Sequence, residues 1–320
     1  LAATRTDYNS LYTLVLLSVM FYMPTIALSN SVAYNALEKA GLDTVTHFPP
    51  IRVWGTVGFI CAMWVVDLGK MGLSATQLYF SATLGLILGL YSFTLPNCPI
   101  NRSGGGKSIV DLLGLRAFAL FKQRKMAIFF IFSMLLGMSL QITNAFADGY
   151  IKSFGDTGIH GAKYLGTFGV EHSTILISLS QISETLCILL IPFFLKRFGI
   201  KRVMLIAMFA WVLRFALLGA GNPGPGVWMF ILSMIVYGVA FDFFNISGSL
   251  FVEKETSAAI RSSAQGVFMI MTNGLGALIG SYLAGWVVNH YGWPLSWYLF
   301  AGFSLVVAIV FAVIFKYKHD

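Results

Sequence analysis

Residues 227–252 read VWMFILSMIVYGVAFDFFNISGSLFV, a run whose one charged side chain is Asp242. A helix that crosses a hydrocarbon core of about 30 Å needs about 20 consecutive apolar residues. The stretch therefore predicts a transmembrane helix with a carboxylate inside it. A second span, LISLSQISETLCILLIPFFL at 176–195, repeats the form with Glu184 as its charged residue. An ionised acid at membrane depth costs several kcal/mol unless it has a partner or water, so it marks a substrate, ion or proton site by default.

The composition agrees with a lipid environment. Hydrophobic residues make up 57% of the chain and charged residues 11%, against about 25% charged in a soluble domain, and the mean hydropathy is +0.78. The chain is an all-α, polytopic membrane protein on this reading. The net charge of +8 would suit nucleic acid in a soluble protein. Here the basic residues gather in short loops between apolar spans, the positive-inside pattern, so the charge encodes topology, with membrane lipids and not nucleic acid as its surroundings. Cys61, Cys98 and Cys187 lie in or beside apolar spans without metal-ligand spacing, which predicts small core residues, no metal and no cofactor.

Nine spans can be marked: 10–29, 51–68, 76–95, 126–146, 173–195, 203–220, 227–252, 264–288 and 295–315. Alternate connections carry fifteen Lys and Arg residues on one side and four on the other, Arg5, Lys70, Lys152 and Lys163. The richer side is cytoplasmic, which places the C-terminus inside. Nine helices then put residue 1 outside, and the chain starts at Leu1 with no signal-like segment, so a preceding portion is expected. The longest connection, 96–125, combines PNCP, SGGG and the basic RAFALFKQRK, a composition for a flexible cytoplasmic linker ending in an amphipathic stretch. Residues 1–95 are then the second half of an N-terminal six-helix bundle whose first three helices are absent, and 126–320 form a C-terminal six-helix bundle. The intact protein would have twelve helices.

Polar residues inside the spans fall on shared faces. Gln181 and Glu184 are three apart, as are Gln141 and Asn144; Tyr237, Phe241, Asp242 and Asn245 crowd one sector; Arg52, Thr56 and Phe59 follow i, i+4, i+7. Four helices thus offer acids, amides, a cation and rings, a mixture suited to a polar, ring-bearing solute in a water-accessible cavity. Each residue also has a plainer reading. Amides and hydroxyls can simply join neighbouring helices, phenylalanines can pack, and the two acids can form a buried ion pair with Arg52 or Arg214. Arg214 has no site-like surroundings in the sequence and reads as a structural counter-ion.

Other motifs carry less. SGGGK at 103–107 lacks P-loop spacing, and Glu171–His172 begins no HExxH. NISGS at 245–249 has no general base at depth, since His47, His160, His172, His290 and His319 all lie outside the span interiors. The chain therefore does not read as an enzyme. The glycines of NGLGALIG at 273–280 fit close helix packing.

The motifs AFDFFNISGSLFVEKE (240–255), SQISETL (180–186), FPPIRVWGTVGF (48–59), AIFFIFSMLLG (127–137) and LQITN (140–144) resemble the bacterial nucleoside:proton symporter family, the nucleoside permease branch of the major facilitator superfamily. The similarity runs from YMPT at 22–25 to FKYKH at 315–319, and KRFGIKR at 196–202 is similar to the basic cytoplasmic loop repeated in that superfamily. The resemblance implies a monomeric bacterial inner-membrane transporter with the major facilitator fold. It would import nucleosides such as uridine and adenosine by alternating access, coupled to a proton. The family's substrate-contacting positions match here as Arg52, Thr56, Phe59, Gln141, Asn144, Gln181, Glu184, Tyr237, Phe241 and Asp242.

The side chains suit that chemistry. Phe59, Phe241 or Tyr237 can stack on a base, while Gln141, Asn144, Gln181 and Glu184 can bond ribose hydroxyls. Asp242 is the first choice for proton carrier and Glu184 the second, because desolvation favours the neutral form of an acid and so couples protonation to conformation. Two other functions fit the same residues: a sugar or oligosaccharide proton symporter, or a membrane receptor or enzyme that binds without transporting.

Overall fold

The computed structural model describes residues 2–42, 44–72, 74–95, 115–156, 163–257 and 260–317, and every regular element among them is helical. Contacts divide the chain into two compact units, Leu1–Gly105 and Gly106–Asp320.

The first unit holds helices α1 (Tyr8–Lys39), α2 (Thr44–Leu68) and α3 (Thr76–Ser92). Asp7 starts α1 by accepting the Ser10 amide at 2.9 Å, and Ser74 starts α3 by accepting the Thr76 amide at 3.1 Å. Each fills one of the amide positions that a helix N-terminus leaves without an internal partner. α1 and α2 extend past the apolar runs that announce them, so most of the connection expected at 29–50 is itself helical.

The second unit opens with a short 3₁₀ helix, Leu115–Lys122, where the amphipathic end of the linker was expected; residues 96–114 lie outside the described residues. Helix α4 spans Arg124–Ser153. The next helical stretch, Ser173–Ala220, has 48 residues. Straight, it would run about 72 Å, far more than a bilayer core of about 30 Å. It breaks at Gly199, whose φ of 73° and ψ of 166° are open to glycine and strained for other residues. We number its arms α5 (173–198) and α6 (200–220).

Two hydrogen bonds prove that the arms fold back on each other. The Ser180 hydroxyl and the Arg214 guanidinium reach the same atom, Met234 Sδ, at 3.1 and 3.7 Å. Those residues lie on opposite arms and a straight helix would hold them about 51 Å apart. The basic KRFGIKR segment is thus a hairpin turn made at one glycine.

Helix α7 is Val227–Glu255; its entry loop is tied by Asn222, whose Oδ1 accepts the Gly224 and Gly226 amides at 3.1 and 3.0 Å. Helix α8 comprises Arg261–Met269, a π-helical turn Ile270–Gly276, and Ala277–Tyr291. Helix α9 is Leu295–Ile314. With the hairpin counted as two, the described residues hold nine membrane-length or near-membrane-length helices at the nine expected spans. Their outer faces expose large apolar side chains such as Leu189, Phe193, Leu278 and Val313, the surface that lipid requires.

Inside the second unit the core is aromatic. Phe129 of α4 meets Phe251 of α7 at 4.6 Å between ring centres and Phe268 of α8 at 5.4 Å. Where α4 and α8 approach, glycines remove the side chains: a Cβ on Gly276 would lie 2.6 Å from the Met134 carbonyl oxygen, and one on Gly280 2.7 Å from Met138 Cα. Small residues of this kind let membrane helices reach backbone contact. The packing role read for the 273–280 glycines is met at Gly276 and Gly280, while a Cβ on Gly274 would meet only ordinary contact.

Candidate functional site

Tyr237 is the centre of the polar cluster in the second unit. It lies on α7 one turn before Phe241, and the i, i+4 spacing stacks the two rings at 5.8 Å with 18° between their planes. Asp242 follows on the same helix and is 3% exposed.

Helix α5 approaches this part of α7 at backbone distance. Gly238 makes this possible, and the buried Ser183 hydroxyl donates to the Ile235 carbonyl across the contact. The adjacent residue Glu184 is half-buried, as is Gln181. Both Glu184 and Asp242 act electrostatically on the Tyr237 hydroxyl, and Asp242 also acts on the Cys187 thiol one turn along α5. The two acids seen in the sequence therefore share one neighbourhood.

From α4, Asn144 lies beside the Tyr237 hydroxyl. Gln141, one turn earlier on α4, is half-buried. Asn144, Glu184, Tyr237, Phe241 and Asp242 are thus brought together by three helices distant in sequence. Gln141 and Gln181 share faces with members of this group through helical spacing. In the first unit, α2 carries Thr56, half-buried, and Phe59, 54% exposed, at positions that share a face with Arg52. The Arg52 side chain lies outside the described residues.

Arg214 on α6 is the residue whose surroundings the sequence misreads. Its guanidinium is 1% exposed, yet among the described residues it forms no ion pair with a carboxylate, so it is not the counter-ion of Glu184 or Asp242. Nη1 donates to the Ser233 carbonyl, Nη2 approaches Met234 Sδ, and Cζ lies 4.7 Å from the centre of the Tyr237 ring. The spacing Trp211, Arg214 on one helix and Ser233, Tyr237 on the next was visible in the sequence, but hydropathy does not say which faces meet.

A pocket of about 20 Å³ is lined in part by Leu140, Trp211, Phe241, Asn245, Thr272 and Asn273. It has room for about one water. Its polar lining comes from Asn245 of α7 and from Thr272 and Asn273 in the π-helical turn of α8, and such turns recur at functional sites.

Chemically, the cluster offers a flat stacked pair of rings, an amide and two carboxylates at membrane depth. These are the elements for holding a heteroaromatic, hydroxylated solute and for binding a proton beside it.

Comparison with known proteins gives the same answer. The family described as nucleoside H+ symporter matches residues 1–320. The chain is 52% identical to the nucleoside permease NupG of Escherichia coli (strain K12) over 326 residues, covering 100% of this chain and 77% of that protein. It is 50% identical to the xanthosine permease of the same organism, with the same coverage. A crystal structure of a mutant of the nucleoside transporter NupG matches with a TM-score of 0.92 at 52% identity, over 98% of this chain and 79% of that one. The fold is that of the major facilitator transporters, and the chain belongs to the nucleoside H+ symporter family, whose members move nucleosides with protons across a membrane and are not enzymes.

Proposed function

We propose that the transported nucleosides include uridine and adenosine, that Asp242 carries the coupled proton, and that Glu184 is chiefly a ribose acceptor and the second candidate for the proton. The observation supporting this reading is the convergence of Asn144, Glu184, Phe241 and Asp242 around Tyr237. In it the base stacks on the Tyr237–Phe241 pair. Asn144, Gln141 and Gln181 exchange hydrogen bonds with the ribose and base edges, and the family resemblance adds Arg52, Thr56 and Phe59 of α2 to the substrate-contacting residues. An analogue lacking a hydroxyl strands a buried polar partner, which gives the selectivity.

Coupling follows from linkage. If protonation of Asp242 favours the conformation that binds nucleoside from outside, nucleoside equally favours protonation, and release of both to the proton-poor side resets the carrier. Residues 1–95 belong to one bundle and 126–320 form the other, with 96–125 as the cytoplasmic linker. The protein works as a monomer in the bacterial inner membrane, surrounded by lipid, with its C-terminus in the cytoplasm.

Uptake of labelled uridine into proteoliposomes, with and without an inward proton gradient, tests the reading when unlabelled adenosine and lactose are added as competitors. Gradient-stimulated uptake blocked by adenosine and indifferent to lactose is expected. Block by lactose would move the protein to the sugar symporters, and saturable binding without uptake would make it a receptor.

A further inference from the structure

Among the described residues, Arg214 is a buried cation without an acid. Removing a guanidinium from water is costly unless its donors are met, and an apolar side chain of similar volume is often no worse for stability. Its partners here are concentrated on one turn of α7. Nη1 donates to the Ser233 carbonyl, and the Ser233 hydroxyl donates back to the Arg214 carbonyl at 3.1 Å. Nη2 faces Met234 Sδ at 3.7 Å, and Cζ sits 4.7 Å from the Tyr237 ring centre. Trp211, one turn earlier on α6, meets the same ring edge-on at 6.0 Å and 88°. Tyr237 is therefore held from α6 by a charge and by an indole, while Phe241 stacks on it along α7.

We infer that Arg214 is a positioning residue for substrate recognition: it fixes the Tyr237 ring, and with it the Tyr237–Phe241 stack, in the orientation a nucleoside base meets. The inference rests on Tyr237 being a substrate-contacting residue. Lysine is not an equivalent, because its point charge lacks the planar fork that bonds the Ser233 carbonyl, reaches the Met234 sulfur and lies near the ring at once. The guanidinium acts through Tyr237 and needs no contact with substrate itself.

A double-mutant cycle separates this role from simple support of the fold. Uridine binding is measured by calorimetry, with thermal unfolding alongside, for the wild type, Arg214→Gln, Arg214→Lys, Tyr237→Ala and the combination Arg214→Gln/Tyr237→Ala. We expect Arg214→Gln to weaken uridine binding about tenfold, Arg214→Lys to recover part of the loss, and the combination to bind no more weakly than Tyr237→Ala. Wild-type affinity in Arg214→Gln, or losses that multiply in the combination, would overturn the inference. Wild-type affinity in Tyr237→Ala would instead remove the premise, and the inference with it. If Arg214→Gln does not fold, Arg214→Lys is carried through the same cycle under the same criteria.

Discussion

Gly238 of α7 lies against the backbone of Ser183 of α5, so close that a Cβ on Gly238 would stand 2.6 Å from the Ser183 carbonyl carbon and oxygen. The contact sets the distance between Glu184, the next residue of α5, and Asp242, one turn further along α7. Packing at this point is thus part of the site.

Gly238→Ala must push the two helices apart. Overpacking of this kind costs about 1–3 kcal/mol, and the acids and Tyr237 separate with the helices. A lower unfolding temperature together with weaker uridine binding is expected. Gly302→Ala, which would meet nothing within 4 Å, should change neither.

At Gly199 the expected effect is on the fold more than on substrate. Its φ of 73° and ψ of 166° lie where a side chain costs about 1–3 kcal/mol, and the turn is the one residue that reverses α5 into α6. Gly199→Ala should lower thermal stability while leaving the uridine affinity of the folded fraction near that of the wild type.

The stacked rings make a graded prediction. Tyr237→Phe keeps the stack on Phe241 and loses the hydroxyl beside Asn144, whose hydrogen bonding is worth a net of about 0.5–1.5 kcal/mol, so uridine binding should weaken about two- to tenfold. Tyr237→Ala removes both and should weaken it further. Equal affinities for the two variants would show that the ring face contributes nothing.

Close approach of α4 and α8 supplies a fourth test. Gly276→Ala would force a Cβ against the Met134 carbonyl oxygen at 2.6 Å, whereas Gly285→Ala would meet only Phe146 Cζ at 3.8 Å. The first should impair uptake and stability, and the second should be tolerated.

Much of this was legible in the sequence because lipid imposes a simple rule. A long apolar run has to be helical and membrane-sized, so the nine spans, the hairpin at KRFGIKR and the isolated acids could be read directly. The i, i+4 spacing put Tyr237 and Phe241 on one face of their helix, and the structure stacks the two rings there. Partners across helices were not legible. The charge of Arg214 predicts an acid beside it, and the structure supplies a carbonyl, a sulfur and a ring instead. The π-helical turn at 270–276 was hidden as well, since one additional residue per turn leaves the hydropathy of α8 unchanged. Helix ends also ran past the apolar runs, as at Lys39, where α1 continues almost to Gly41 and its φ of 68°.

The most direct test of the account compares Asp242→Asn with the wild type in proteoliposomes, measuring both gradient-driven uridine uptake and gradient-independent exchange of uridine across the membrane. Asp242→Asn is expected to lose the stimulation by an inward proton gradient and still to exchange or bind uridine, since the amide keeps the shape of the site and cannot release a proton. Uptake by Asp242→Asn that responds to the gradient as fully as the wild type would contradict the assignment of Asp242 as the proton carrier.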